Sequence, residues 1–114
     1  MIVRKKEMRT QVRANMKGGT GEVTVLHLLD PEKQPNIRFV GEMTIPPGAS
    51  IGEHGHERET EYYLIAEGIA VATDNGKEEK VVKGEVIITG GGATHSLRNG
   101  GTTPLKVIAF IVTH

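Results

Sequence analysis

Turn-forming residues interrupt this chain about every ten residues, and no apolar stripe of helical period runs for more than about three turns anywhere in it. The breaks fall at Pro46-Pro47-Gly48, Glu67-Gly68, Asp74-Asn75-Gly76, Gly84 and Gly90-Gly91-Gly92. A helix has no room to propagate between them, whereas short strands do, so the expected fold class is all-β. Strands are expected over 22–29, 37–45, 50–56, 61–66, from 69 to the turn at 74–76, and over 78–82, 86–89, 95–98 and 105–113. Asn75-Gly76 is the strongest hairpin signal, because both positions of a type I′ turn need positive φ. With 15 glycines and only 4% aromatics, the core must be built from Val, Ile, Leu and Ala.

A chain of 114 residues fits one domain. Cysteine is absent, which removes disulfides, thiolate metal sites and cysteine nucleophiles, so any bound metal must use nitrogen and oxygen. The longest apolar run, Val107 to Val112, is far too short for a membrane-spanning helix, and the first residues lack the apolar stretch of a signal peptide. The default expectation is a soluble cytoplasmic protein. Net charge is zero, yet residues 1–21 carry six Lys or Arg against one Glu. No aromatic residues interleave that arm, so a solvated or partner-contacting strand is expected there and nucleic-acid binding is not.

The chemistry is concentrated in one stretch. His54 and His56 alternate on a strand and so present two imidazoles toward one face. Glu61 opens the following strand, and His95 lies on a late strand just beyond the triple glycine. Three imidazoles and one carboxylate leave up to two positions open on an octahedral ion, the arrangement needed for a small molecule to bind at the metal itself. A His-x-His pair alone is common on exposed strands. Glu57 and Glu59 are expected to solvate the turn, and His27 and His114 lack chelating partners in sequence. Arg38 and Arg13 are candidates to hold an anion in the cavity, with pairing to one of the many glutamates as the alternative.

The spacings then carry a resemblance. Gly48, His54, His56, Glu61 and Gly68 stand at the intervals of the first signature motif of the cupin superfamily. Gly84, Gly90, Gly92, His95 and Asn99 resemble its second motif, with Gly90 where the family usually has proline. The motifs lie in the expected order, 15 residues apart.

That resemblance implies a double-stranded β-helix, or jelly-roll barrel, in a single domain 1–114. Residues 36–114 would form the barrel core, and residues 1–35 N-terminal strands that reach a second subunit in a homodimer. It implies one divalent metal on His54, His56, Glu61 and His95, with Mn(II) the first choice and Fe(II), Zn(II), Ni(II) or Co(II) also compatible. The ligand set is similar to that of oxalate decarboxylases and germin-like oxalate oxidases, which implies a small carboxylate at the metal, with Arg38 as a substrate-binding candidate. Ile51 stands where bicupin oxalate decarboxylases place an arginine, and no acidic lid segment is recognisable. The alternatives are an iron-dependent dioxygenase, a sugar isomerase, or a cupin that binds a small ligand without turning it over.

Overall fold

A computed structural model describes all residues, Met1–His114. Ten strands follow in chain order: β1 Arg9–Ala14, β2 Glu22–His27, β3 Ile37–Ile45, β4 Ser50–Gly55, β5 Glu59–Glu67, β6 Ile69–Asp74, β7 Lys77–Val82, β8 Val86–Gly90, β9 Thr94–Asn99 and β10 Leu105–Thr113. Only three short 3-10 turns accompany them, at Lys5–Glu7, Met16–Gly18 and Pro31–Lys33. No helix is long and apolar enough to cross a membrane. The all-β expectation holds, and β3 and β10 have the expected ends.

All pairings are antiparallel. One sheet has the order β1-β2-β3-β10-β5-β8, the other β4-β9-β6-β7. The two face each other as a jelly-roll barrel. The β6–β7 turn takes positive φ at Asn75 (50°) and Gly76 (90°), as a type I′ hairpin requires. The basic arm, expected to reach a partner, forms β1 and pairs with β2 of its own chain from Arg9 opposite His27 to Ala14 opposite Glu22.

Alternation along each strand builds the core. β10 sends Leu105, Val107, Ala109 and Ile111 inward, and β3 adds Met43 and Ile45 from one side while β5 adds Tyr63 and Ile65 from the other. Ile51, Ala70, Ala72 and Leu97 close the core from the smaller sheet. Each buried Ile or Leu contributes about 1.5–3 kcal/mol, so the aliphatic core suffices for a chain this poor in aromatics. The continuous apolar run of β10 has a second consequence. Its outward residues, with Tyr62 and Leu64 of β5 and Val86 and Ile88 of β8, give the large sheet a broad apolar outer face. Tyr62 stacks on Phe110 with ring centroids 4.8 Å apart, while Ile88 remains 60% exposed and Val86 51%.

Candidate metal centre

The four candidate ligands lie far apart in sequence and come together where the two sheets face one another. His54 on β4 is the direct cross-strand partner of His95 on β9. His56 follows β4 directly, and Glu61 sits on β5 opposite Thr89 of β8. His95 is only 1% exposed at its side chain, His56 3%, Glu61 6% and His54 12%. One donor atom from each residue falls within 4.8 Å of the other three.

The detailed spacing is informative. His56 Nε2 and His54 Nε2 each lie 3.0 Å from His95 Nε2. Glu61 Oε1 lies 2.9 Å from His56 Nε2, 3.1 Å from His95 Nε2 and 3.6 Å from His54 Nε2. Donors held by bonds of about 2.1 Å at right angles stand about 3.0 Å apart, whereas a tetrahedral set stands about 3.4 Å apart. Four of the six separations match the octahedral edge; His54–Glu61 is longer, and His54–His56 lies within 4.8 Å.

Protonation gives an independent test of whether these residues fit a cation. His54 Nδ1 donates to the Gly52 carbonyl at 2.8 Å, and His56 Nδ1 donates to Glu59 Oε2 at 2.5 Å. Both partners only accept, so both Nδ1 atoms carry hydrogen, and in the neutral ring Nε2 is left as a bare lone pair. His95 Nδ1 shares a 2.8 Å hydrogen bond with Thr89 Oγ1. At least two bare nitrogens and a carboxylate oxygen therefore point at one another inside the barrel. Acceptors at 3 Å repel unless positive charge sits among them, so the donor set fits a divalent metal. The partners of His54 and His56 fix those two tautomers, and all three Nδ1 partners orient the rings so that every Nε2 faces one point.

The electrostatics agree with this. Burial by itself raises the Glu61 carboxyl, but in the metal-free cluster protonated imidazoles, through hydrogen bonds from His54 and His95 and the charges of His95 and His56, overcome it and bring the pKa from 4.5 down to about 2, so the carboxylate responds to positive charge placed at this point. Burial lowers His95; Glu61 pulls it up, while His54 and His56 push it further down, and the neutral ligating form is favoured. Tyr63, stacked on His95 at 4.7 Å, has its phenol pushed well above its usual value by burial and then by the Glu61 carboxylate.

The cluster borders a cavity. This space of about 870 Å³ reaches His54, His56 and Glu61, while His95 lies behind them and Arg9, Arg13 and Arg38 stand along its walls. The open side of the donor set therefore faces a space that admits a small molecule.

One expectation needs correction. Glu59 does not merely solvate the turn. It accepts from His56 Nδ1 and also takes a two-pronged ion pair from Arg38, Nε to Oε1 at 2.7 Å and Nη2 to Oε2 at 2.8 Å. Arg38 foremost, against the opposing effect of burial and with the help of His56, brings the Glu59 carboxyl from 4.5 to about 2. Of the two alternatives for Arg38, glutamate pairing is realised, although the residue still lines the cavity. Nothing local in the sequence marks Thr89 or the Gly52 carbonyl. The one signal in the sequence that could have marked Glu59 is its place three residues after a ligating histidine.

Gly90, the departure from the usual motif, has a steric explanation. A Cβ there would fall 2.5 Å from Thr60 Oγ1 and 3.1 Å from the Glu59 carbonyl oxygen, so a side chain at position 90 would require Thr60 to turn its hydroxyl away and β5 to give slightly.

A jelly-roll barrel with three histidines and a glutamate converging on one point defines a cupin, and this chain belongs to that family: residues 41–111 match the model described as the cupin domain. Over 113 residues it is 42% identical to a protein of Thermotoga maritima named oxalate-binding protein, covering 98% of this chain and 93% of that one. A crystal structure from Thermotoga maritima described as a predicted oxalate decarboxylase superposes with a TM-score of 0.93 at 41% identity, covering all of both chains. A sugar phosphate isomerase of the cupin superfamily from Silicibacter pomeroyi superposes at a TM-score of 0.79 with 18% identity, covering 100% of this chain and 76% of that one, and shows the shared fold alone.

Proposed function

We propose that this chain binds a small carboxylate of the oxalate class directly on a divalent metal, Mn(II) in the first instance, held by His54, His56, Glu61 and His95. The observation that carries the reading is the proton-poor donor set with its open side on a cavity. The similarity to an oxalate-binding protein supports the choice of acid. The metal, when bound, supplies Lewis acidity and a template for chelation. The chain's own residues do the rest. Glu59, Thr89 and Gly52 orient the three imidazoles, Glu61 adds the charge that favours a dication, and Tyr63 shields the rear of His95. Arg38, on the cavity wall, adds positive charge beside the entering acid even while bonded to Glu59.

Turnover of oxalate is the second reading, supported by the likeness to a predicted oxalate decarboxylase. Decarboxylation to formate and carbon dioxide breaks the carbon–carbon bond and consumes a proton at the carbon that stays behind. Around the metal ligands, Glu59 is held ionised and the Tyr63 phenol is pushed upward, so neither is suited to release a proton near neutrality. That favours binding as the primary activity. Calorimetry of Mn(II)-loaded protein with oxalate, followed by assays for formate, carbon dioxide and peroxide in air, separates the readings. Heat of binding without product supports the first, product formation the second, and no binding removes both.

The apolar outer face formed by Tyr62, Leu64, Val86, Ile88 and Phe110 is, in our reading, covered by a second copy in a homodimer, since a contiguous exposed patch of this kind on a sheet is a liability in a monomer.

A further inference from the structure

The cavity is much larger than oxalate. About 870 Å³ lies in the range of sites that enclose ligands of drug size, roughly 300–1,000 Å³. An acid of two back-to-back carboxylates bound at the metal leaves most of it unfilled.

The wall away from the metal has an unusual composition. Strand β1 turns Gln11 and Arg13 to its half-buried side, with the exposed Arg9 at the rim of the cavity, and Val12 outward, where it is 55% exposed. In every other strand of the large sheet the inward row contains apolar side chains. Charge on an inward face is costly unless it meets a partner. Neither Arg9 nor Arg13 has a carboxylate partner, in contrast with Arg38 and its Glu59. Arg13 is nevertheless half-buried and positioned. Its Nε donates to Gln11 Oε1 at 3.3 Å, and its guanidinium carbon lies over the Phe39 ring, 5.7 Å from the centroid. His27 Nε2 donates to the same Gln11 oxygen at 2.9 Å and sets its ring edge-on to Phe39. Gln11 and Phe39 thus hold the guanidinium while its terminal nitrogens have no partner within the chain. The lining is cationic on balance, with five Lys or Arg against three acidic side chains outside the metal cluster.

We propose that Arg13, supported by Gln11 and Phe39 and flanked by Arg9, forms a second anion-binding subsite. The ligand class of the cavity is then a carboxylic acid that chelates the metal through one end and carries another negatively charged group at the far end. This rests on the reading that the metal holds an acid, and it goes beyond that reading by assigning the tail. Arginine suits the role because its planar fork accepts a carboxylate or phosphate with two hydrogen bonds.

The test titrates Mn(II)-loaded full-length protein with 2-oxoglutarate and with 2-oxovalerate, which share a chelating head and differ in whether the tail is charged, and with oxalate as the head alone. The expected result is at least tenfold tighter binding of 2-oxoglutarate than of 2-oxovalerate. In Arg13→Gln that ratio falls toward one, while Arg13→Lys, which keeps the charge, retains part of it. Metal content and melting temperature, measured on each variant, ensure that only folded, loaded protein is compared. If oxalate binds but the wild type does not distinguish the two tails, or if Arg13→Gln keeps the full preference, the subsite is refuted and the metal-bound acid stands. If no acid binds to loaded wild type, both fall.

Discussion

Replacing Glu59 by Ala should weaken metal binding although Glu59 is not itself a ligand. The carboxylate accepts from His56 Nδ1, and the His56 side chain is only 3% exposed, so removing it leaves a buried N–H without a partner. That costs about 1–3 kcal/mol, and loss of such an outer partner typically reduces metal affinity about 10–100-fold. The two ranges overlap near 2 kcal/mol, which corresponds to a rise in Kd of about 30-fold. The ring also becomes free to rotate or change tautomer, which would turn Nε2 away from the other donors. Competition of Mn(II) between the protein and a fluorescent chelator reads the change directly. Arg38→Ala, which leaves the carboxylate in place but removes its clamp, should cost only a few-fold, and Glu59→Gln should fall between the two. A Kd for Glu59→Ala within threefold of wild type would refute the idea that this hydrogen bond aims His56.

Three further outcomes follow from the same geometry. Stripping metal from protein that had been held at a hundred times its Kd removes about 2.7 kcal/mol of linkage, so the melting temperature should fall on the order of 10 °C; an unchanged melt would argue against a resident ion. In metal-free protein the Glu59 carboxyl titrates near 2 against an ordinary 4.5, so its contribution is present above 4.5 and is lost as pH falls toward 2; because burial lowers His95, stability should also decline below about 6.5, where the unfolded chain takes up the proton first. Acid melts of Glu59→Gln, with a shallower loss below 4.5 than wild type, check the first part. Ile88→Lys on the outer face should convert a dimer into a monomer in sedimentation, with the metal content unchanged.

The barrel was legible because its turn chemistry is local. Asn75-Gly76 and the glycine breaks dictate backbone geometry within a few residues, and the apolar run of β10 declares a buried central strand. The four ligands were legible for a related reason, since alternation on β4 and fixed intervals to Glu61 and His95 leave little freedom. What escaped notice depends on contacts between distant segments. Arg38 and Glu59 stand 21 residues apart in sequence, Thr89 faces His95 across a turn between sheets, and neither pair has any mark that separates it from side chains that merely meet water. A strand in the basic arm is expected, but the bounds of β1 are not legible, because Arg-Thr-Gln-Val-Arg-Ala has a polar inward row, the inverse of the pattern by which strands are recognised.

The position of the donor cluster also bears on how the barrel is held closed. His54 and His95 belong to the four-stranded wall and Glu61 to the six-stranded one, so an ion bonded to all of them rivets the two walls at that end. In a chain without cysteine no covalent cross-link does the same. Loading the site should therefore slow amide exchange most in β4, β9 and the first half of β5, leaving the β6–β7 hairpin to fray as before.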